Sequence, residues 1–205
     1  MTIIVHHLNN SRSQRILWLL EELELSYEIK HYTRRMMQAP PEMTAIHPLG
    51  KSPIITDGAH NIAESGAIVE YLIRKAGGRF GPPAAEADWL RYSYFMHYAE
   101  GSLMPNLVIL LINMKLGPFG GPLRPMFKKR VRENLAWLEQ EMVGRLWFAG
   151  DTPNAADVMM SFALEFANTL MGLKPYPNLT AWLARVHARP AYIAALQRGG
   201  PTAYS

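Results

Sequence analysis

Leu49-Gly50-Lys51-Ser52-Pro53-Ile54-Ile55-Thr56-Asp57-Gly58 runs on to Ile62-Ala63-Glu64-Ser65-Gly66-Ala67-Ile68-Val69-Glu70-Tyr71-Leu72. The pattern reads as a loop, a short apolar strand, a turn at Asp57-Gly58, a second short strand and a helix. Asp-Gly tolerates the positive φ angles that a tight hairpin needs. Ala67, Ile68, Tyr71 and Leu72 fall on one helical face, and Ser65 at the start is placed to cap free amides. Pro53 stands where a strand begins, a position at which a missing amide is tolerated. Ser52 before it is pushed toward an extended backbone, whose N–H and C=O can pair with another extended peptide. Glu64 and Ser65 open a helix whose N-terminal amides attract a carboxylate. A pairing edge beside an anion-attracting helix start suits a small peptide ligand, although an ordinary hairpin and capped helix would read the same way.

Pro48-Leu49-Gly50-Lys51-Ser52-Pro53, followed by Ile62-Ala63-Glu64-Ser65-Gly66-Ala67-Ile68-Val69-Glu70-Tyr71-Leu72, resembles the glutathione-binding half of the glutathione S-transferase family. The resemblance implies a cis proline at Pro53, with Ser52 pairing through its backbone to the cysteinyl unit of glutathione. It implies that Glu64 takes the γ-glutamyl amine and Ser65 its carboxylate, and that Lys51 neutralises the glycyl carboxylate.

Working outward toward the N-terminus, Thr2 to His7 is β-branched and short, as a buried strand should be. Arg15 to Leu25 has helical period, with Ile16, Leu19, Leu20 and Leu23 on one side. Ser26 to Tyr32 alternates as a second strand. Thr33 to His47 is loop-like, with a short helix over Glu42 to Ile46. The order β-α-β, β-β-α fits a thioredoxin-like domain over residues 1–77. Gly77-Gly78 and Gly81-Pro82-Pro83 mark a linker over 78–87. Residues 88–205 read as an all-helical bundle. Asp88 to Met114 is a long helix that Pro105 should bend, Gly117 to Pro122 is a break, and Pro125 to Arg145 is a second helix. Asn154 to Asp157 is a capping box opening an apolar helix to Met171. Pro177 to Ala188 is a helix stopped by Arg189-Pro190, and the chain from Gly199 should fray. The fold class expected is α/β plus all-α.

Within 205 residues, 49% are hydrophobic and 19% charged, which is globular composition with room for one or two domains. Leu107 to Leu116 is broken by Asn113 and Lys115, so no apolar run is expected to span a bilayer, and no signal peptide is read at the start. There is no cysteine, which excludes disulfides, thiolate metal sites and the thiol-transferring branches of the resembled family. A cytoplasmic location agrees with that. The net charge of +4 and pI near 9.4 favour an anionic small ligand. Lys128-Lys129-Arg130 with Arg132 reads as a solvated helix face, so nucleic acid is not an expected partner, and with no spanning run neither is a membrane. His6 and His7 are adjacent on a strand and point to opposite faces, so no metal site is expected.

The resembled family activates the thiol of glutathione. A free thiol ionises near pH 8.5, and only the thiolate is a strong nucleophile. A hydroxyl aimed at the sulfur favours the charged form. By the resemblance that hydroxyl lies just after the first strand. Tyr27, on the second strand, is too far along the chain, so the tyrosine-type pattern does not fit. Asn10-Ser11-Arg12-Ser13-Gln14-Arg15 places Ser11 four residues before Arg15, the serine-type spacing. Ser11 is the expected catalytic residue, with Ser13 and Asn10 as alternatives and Arg12 adding positive potential. The second, apolar substrate is expected between the domains, against Tyr94, His97, Tyr98, Met104, Leu107 and Leu111. The resemblance thus implies a homodimeric glutathione transferase with glutathione as co-substrate and no metal. The alternative is a non-catalytic dimerisation or binding module on the same fold.

Overall fold

The computed structural model describes residues 2–35, 38–200 and 202–204. In chain order the elements are β1 (Ile3–Leu8), α1 (Ser13–Glu22), β2 (Tyr27–Tyr32), β3 (Ile54–Asp57), β4 (His60–Ala63), α2 (Ser65–Lys75), α3 (Glu86–Tyr98), α4 (Met104–Lys115), α5 (Arg124–Glu141), α6 (Ala155–Met171), α7 (Pro177–His187) and α8 (Pro190–Gly199). The short helix expected over Glu42 to Ile46 is a 3₁₀ turn over Pro41–Met43. Met36 and Met37, inside the predicted loop, and Pro201 and Ser205, in the predicted frayed tail, lie outside the described residues.

The chain divides into two units, residues 1–81 with 187–205, and residues 82–186. The first holds a four-stranded sheet in the order β2-β1-β3-β4. β1 and β2 are parallel, and β3 is antiparallel to both β1 and β4. His6 stands opposite Ile54, and Ile54 opposite Ala63. This register brings the C-terminal end of β1, the start of β3 and the end of β4 to one edge of the sheet. The segments leaving that edge carry Ser11, Ser52-Pro53 and Glu64-Ser65. The core between the sheet and α1 and α2 includes Val5, Ile16, Leu20, Ile55, Val69 and Leu72, all fully buried. Asp57 in the turn accepts from Tyr71 Oη at 2.7 Å and Lys75 Nζ at 2.6 Å, which ties the hairpin to α2. Both donors hold the Asp57 carboxyl below its usual range, Lys75 most strongly.

The sequence reading gave the chain beyond residue 88 wholly to the helical domain and stopped its last helix at Arg189-Pro190. Instead, Pro190 occupies the first turn of α8, where its absent amide costs nothing. α8 then lies along α1 in the first unit. Arg189 pairs with both carboxylate oxygens of Glu22. Arg198 reaches Glu21 Oε1 at 3.0 Å and sits 3.7 Å over the Tyr27 ring. Tyr192 meets Trp18 edge-on at 5.7 Å.

The second unit is helical. The run Glu86–Lys115 is interrupted by one π-helical turn over Ala99–Leu103, just before Pro105. A proline has no amide to give the carbonyl four residues back, and the ladder widens upstream of it. The interruption therefore precedes the proline. Over an 18-residue window this run reaches a mean hydropathy of 1.2, longer and more apolar than the sequence reading allowed, with 39% of the window buried inside the protein. α6 opens with the predicted capping box, Asn154 Oδ1 accepting from Ala156 N at 3.0 Å and Asp157 Oδ2 from Asn154 N at 3.0 Å. Asp157 is wholly buried, and its Oδ1 also accepts from Phe148 N and Trp182 Nε1.

Candidate active site

The turn after β1 is built around two serines. Ser13 Oγ lies 2.9 Å from His7 Nδ1, and the His7 ring makes a second hydrogen bond to the backbone carbonyl of Gly199 on α8. A neutral imidazole donates from one nitrogen and accepts at the other. The tautomer sets the direction: with Nδ1 the acceptor, Ser13 Oγ–H donates to it, and with Nδ1–H the donor, Ser13 Oγ–H turns to Leu8 O at 3.4 Å. The His7 ring stays neutral over the ordinary range. Burial, then the neighbouring His31, push its pKa down to about 4, against the hydrogen bond to Gly199.

Ser13 is fully buried, and its hydroxyl is held inward between His7 Nδ1 and Leu8 O. Ser11 differs. Its Oγ is 2.7 Å from Ser13 Oγ and 2.9 Å from Ser52 Oγ, and it accepts the Ser13 amide at 3.2 Å. Ser13 and its amide thus supply Ser11 with groups on the inner side, while Ser11 faces Ser52 on the outer. The Ser11 proton can turn to Ser13, to Ser52 or to an incoming anion. Asn10 is turned elsewhere: its Oδ1 accepts from Ala203 N at 2.8 Å, and its carbonyl from Arg34 Nη2 at 3.2 Å. Arg12 occupies the N-cap position of α1 and makes no side-chain cap; Ser11 takes the Ser13 amide on its Oγ and the Gln14 amide on its carbonyl.

Ser52-Pro53 is a cis peptide bond, as the resemblance implied. Ser52 is half-buried, Pro53 buried and Lys51 exposed. At α2 one local reading is corrected. Ser65 does not cap the helix; it is the first helical residue and is 5% exposed. Glu64 holds the cap position with φ +71° and ψ 124°, and no side-chain cap bond is made. A non-glycine residue in that conformation is unusual. The structure therefore brings Ser11, Ser52-Pro53 and Glu64-Ser65 to one edge, as the strand register requires. Sequence reasoning missed His7, which it weighed only as a metal ligand; a histidine six residues before a turn serine was the available signal. His6 points away from His7, to Tyr32 Oη at 3.1 Å and Thr56 Oγ1 at 2.9 Å. Among the described residues no three His, Asp or Glu side chains converge as a metal site would require.

The six residues expected to hold an apolar substrate do not share one environment. Met104 and Leu107 are 2% and 0% exposed and belong to the core of the helical unit. Tyr98 is also buried, and its hydroxyl donates to Asn134 Oδ1. The reason is the period of the helix, which must turn one face inward. Tyr94 and His97 are exposed and Leu111 half-buried. Tyr94 lines an apolar cleft of about 240 Å³ with Leu90, Phe95 and Trp137, and the Arg91–Glu141 ion pair closes one side of it.

Two family models match, glutathione S-transferase N-terminal domain over residues 2–74 and glutathione S-transferase C-terminal domain over residues 84–185. The chain belongs to the glutathione S-transferase family. It is 38% identical to glutathione S-transferase 3 of Schizosaccharomyces pombe, across 92% of this chain and 84% of that one. A crystal structure of a glutathione S-transferase from Actinobacillus pleuropneumoniae superposes with a TM-score of 0.87 at 32% identity, covering 98% of this chain and 94% of the other. A glutathione transferase from Burkholderia graminis, solved with two glutathione molecules bound per subunit, gives a TM-score of 0.80 at 25% identity, covering 96% and 88%.

Proposed function

We propose that this glutathione S-transferase is of the serine type, with Ser11 Oγ–H directed at the sulfur of bound glutathione. Ser11 Oγ standing 2.9 Å from Ser52 Oγ, beside the cis Pro53, carries the reading. Glutathione, the co-substrate, lies along the sheet edge. Ser52 pairs with its cysteinyl backbone, Glu64 and Ser65 take its γ-glutamyl end, and Lys51 meets its glycyl carboxylate. The thiol loses its proton to solvent, and the Ser11 hydroxyl favours the thiolate. The thiolate then attacks an electrophilic carbon. A C–S bond forms, and the leaving group departs with its electron pair. The apolar substrate is assigned to the exposed or half-buried positions Tyr94, His97 and Leu111.

The protein is further proposed to act as a cytoplasmic homodimer. Trp89 and Leu90 on α3 are each about half exposed, an apolar pair that a second copy would cover.

Turnover of glutathione with an activated aryl halide tests the assignment. Ser11→Ala should lower kcat by about tenfold to a hundredfold, the loss of one hydrogen bond to a charged group, with the glutathione Kd little changed. An unchanged kcat removes Ser11 from the chemistry. Glutathione binding without turnover of any electrophile would favour a binding module.

A further inference from the structure

Between Glu100 and Glu133 the chain has no acidic residue, and it has six cations, Lys115, Arg124, Lys128, Lys129, Arg130 and Arg132. This stretch folds as the end of α4, a 3₁₀ turn over Gly117–Gly120 and the start of α5, so it is one helical hairpin. Its tip is apolar and outward. Phe119 is 91% exposed, Leu116 51%, Leu123 52% and Met126 42%. The tip is firmly built. Arg124 Nη2 donates to Gly117 O at 2.7 Å and to Asn113 O at 3.3 Å. The backbone of Gly120 packs so closely on Asn113 that a Cβ there would stand 2.0 Å from its carbonyl oxygen. Four large apolar side chains are thus held out in water on a fixed turn.

We propose that this hairpin tip docks the protein on an anionic lipid surface. The order of residues along the hairpin matches the depth profile of a lipid interface. Leu116, Phe119, Leu123 and Met126 occupy the tip, where acyl chains would receive them. Lys115 stands at one shoulder, and Lys128, Lys129 and Arg130 stand one turn behind on the other, at headgroup level. Long cationic side chains can reach back to the headgroups while the apolar residues in front of them are immersed. A second copy of the chain is a poor occupant, because a two-fold contact would set this cationic stretch against itself. Nucleic acid would use the cations and leave Leu116, Leu123 and Met126 in water. The sequence expectation of no membrane partner concerned a spanning segment, and a tip that lies in the interface is a different physical case.

Cosedimentation of the full chain with phosphatidylcholine vesicles, with and without phosphatidylserine, is the test. The wild type should partition at least about tenfold better onto the serine-containing vesicles, and raised salt should weaken that binding. Phe119→Ser should reduce partitioning by about tenfold through lost immersion, and at 91% exposure its fold should be untouched. Lys128→Glu with Lys129→Glu should reduce it at least as much and flatten the salt dependence. All variants should keep glutathione turnover in the absence of vesicles. The proposal is overturned if the wild type binds neither vesicle, binds both equally, or is matched by both variants. It is also overturned if Phe119→Ser changes the sedimentation coefficient while no vesicle binds, which would give the face to a second copy, or if only an oligonucleotide binds.

Discussion

Ser11 and Ser13 are two residues apart and hydrogen-bonded to each other, yet removing their hydroxyls should have different consequences for the sulfur. Ser13 is 0% exposed, and its hydroxyl is held inward between His7 Nδ1 and Leu8 O. In Ser13→Ala the His7 nitrogen is left buried and unpaired, which costs about 1–3 kcal/mol of stability. The sulfur loses nothing directly, since the Ser13 hydroxyl is spent on inward partners, so the pKa of bound glutathione should move by less than about half a unit. Ser11 makes its contacts at the mouth of the turn, with Ser52 across from it. In Ser11→Ala the buried amide of Ser13 loses its acceptor, which by the same rule also costs about 1–3 kcal/mol of stability. The thiolate loses a charge-assisted hydrogen bond of about 1.5–3 kcal/mol, which at 1.36 kcal/mol per unit raises the thiol pKa by about one to two units. Ultraviolet titration of bound thiolate and urea unfolding, run on both variants, read the two effects separately. The expected pattern is a high pKa for Ser11→Ala and a native pKa for Ser13→Ala, with stability lowered in both. Asn10→Ala should match the wild type in pKa, because its side-chain oxygen faces Ala203. If Ser13→Ala raises the thiol pKa as far as Ser11→Ala, the Ser13 hydroxyl is not held inward and the donor is Ser13.

Asp157→Ala leaves three buried donors, Phe148 N, Trp182 Nε1 and Asn154 N, without an acceptor, and should cost about 3 kcal/mol or more in urea unfolding; a loss below about 1 kcal/mol would mean that water or a rearranged loop serves them. His7 is held neutral, its pKa lowered to about 4 by burial first, so the folded state binds fewer protons than the unfolded one below the unfolded value of 6.5. Its contribution is present above pH 6.5 and is lost as pH falls toward 4, by about 3 kcal/mol in all, and His7→Gln should flatten that part of the stability–pH curve. Asp157 pulls the other way, because burial raises it to about 6 and stability therefore falls as pH rises from about 4 to 6; Asp157→Asn should steepen the remaining acid loss from His7. Lys51 is exposed, so Lys51→Ala should raise the glutathione Kd only about twofold to fivefold by calorimetry, and a hundredfold loss would place a desolvated ion pair there.

What the sequence made legible is what short-range chemistry controls. Asp57-Gly58 declared the hairpin, and the strands on either side of it pair as that turn dictates. The period of α1 and the box at Asn154 and Asp157 needed only three or four residues of context each. α8 was missed because its proline was read as a stop. Which side of a proline becomes helical is decided by partners, and here these are Glu21 and Glu22, more than 160 positions away. Ser65 was misread for a local reason. A serine before an apolar period is a good cap by type, but a left-handed Glu64 moves the helix start by one residue, and no pattern of apolar positions reports a single φ.

The same division runs through the candidate site. Ser11, Ser52, Pro53, Glu64 and Ser65 could be nominated because each sits in a turn with its own signature, and the sheet register then gathers those turns at one edge. Which serine carries a proton for the sulfur is a different kind of fact. It depends on how the Ser13 hydroxyl is held between His7 Nδ1 and Leu8 O, and so on where the His7 ring stands. That ring borders Gly199 near the far end of the chain, on the helix that Arg189 and Arg198 tie to α1 and β2. Loosening that tie with Arg198→Ala should therefore disturb the thiol pKa of bound glutathione by way of the His7–Ser13 contact, with no contact to the substrate lost.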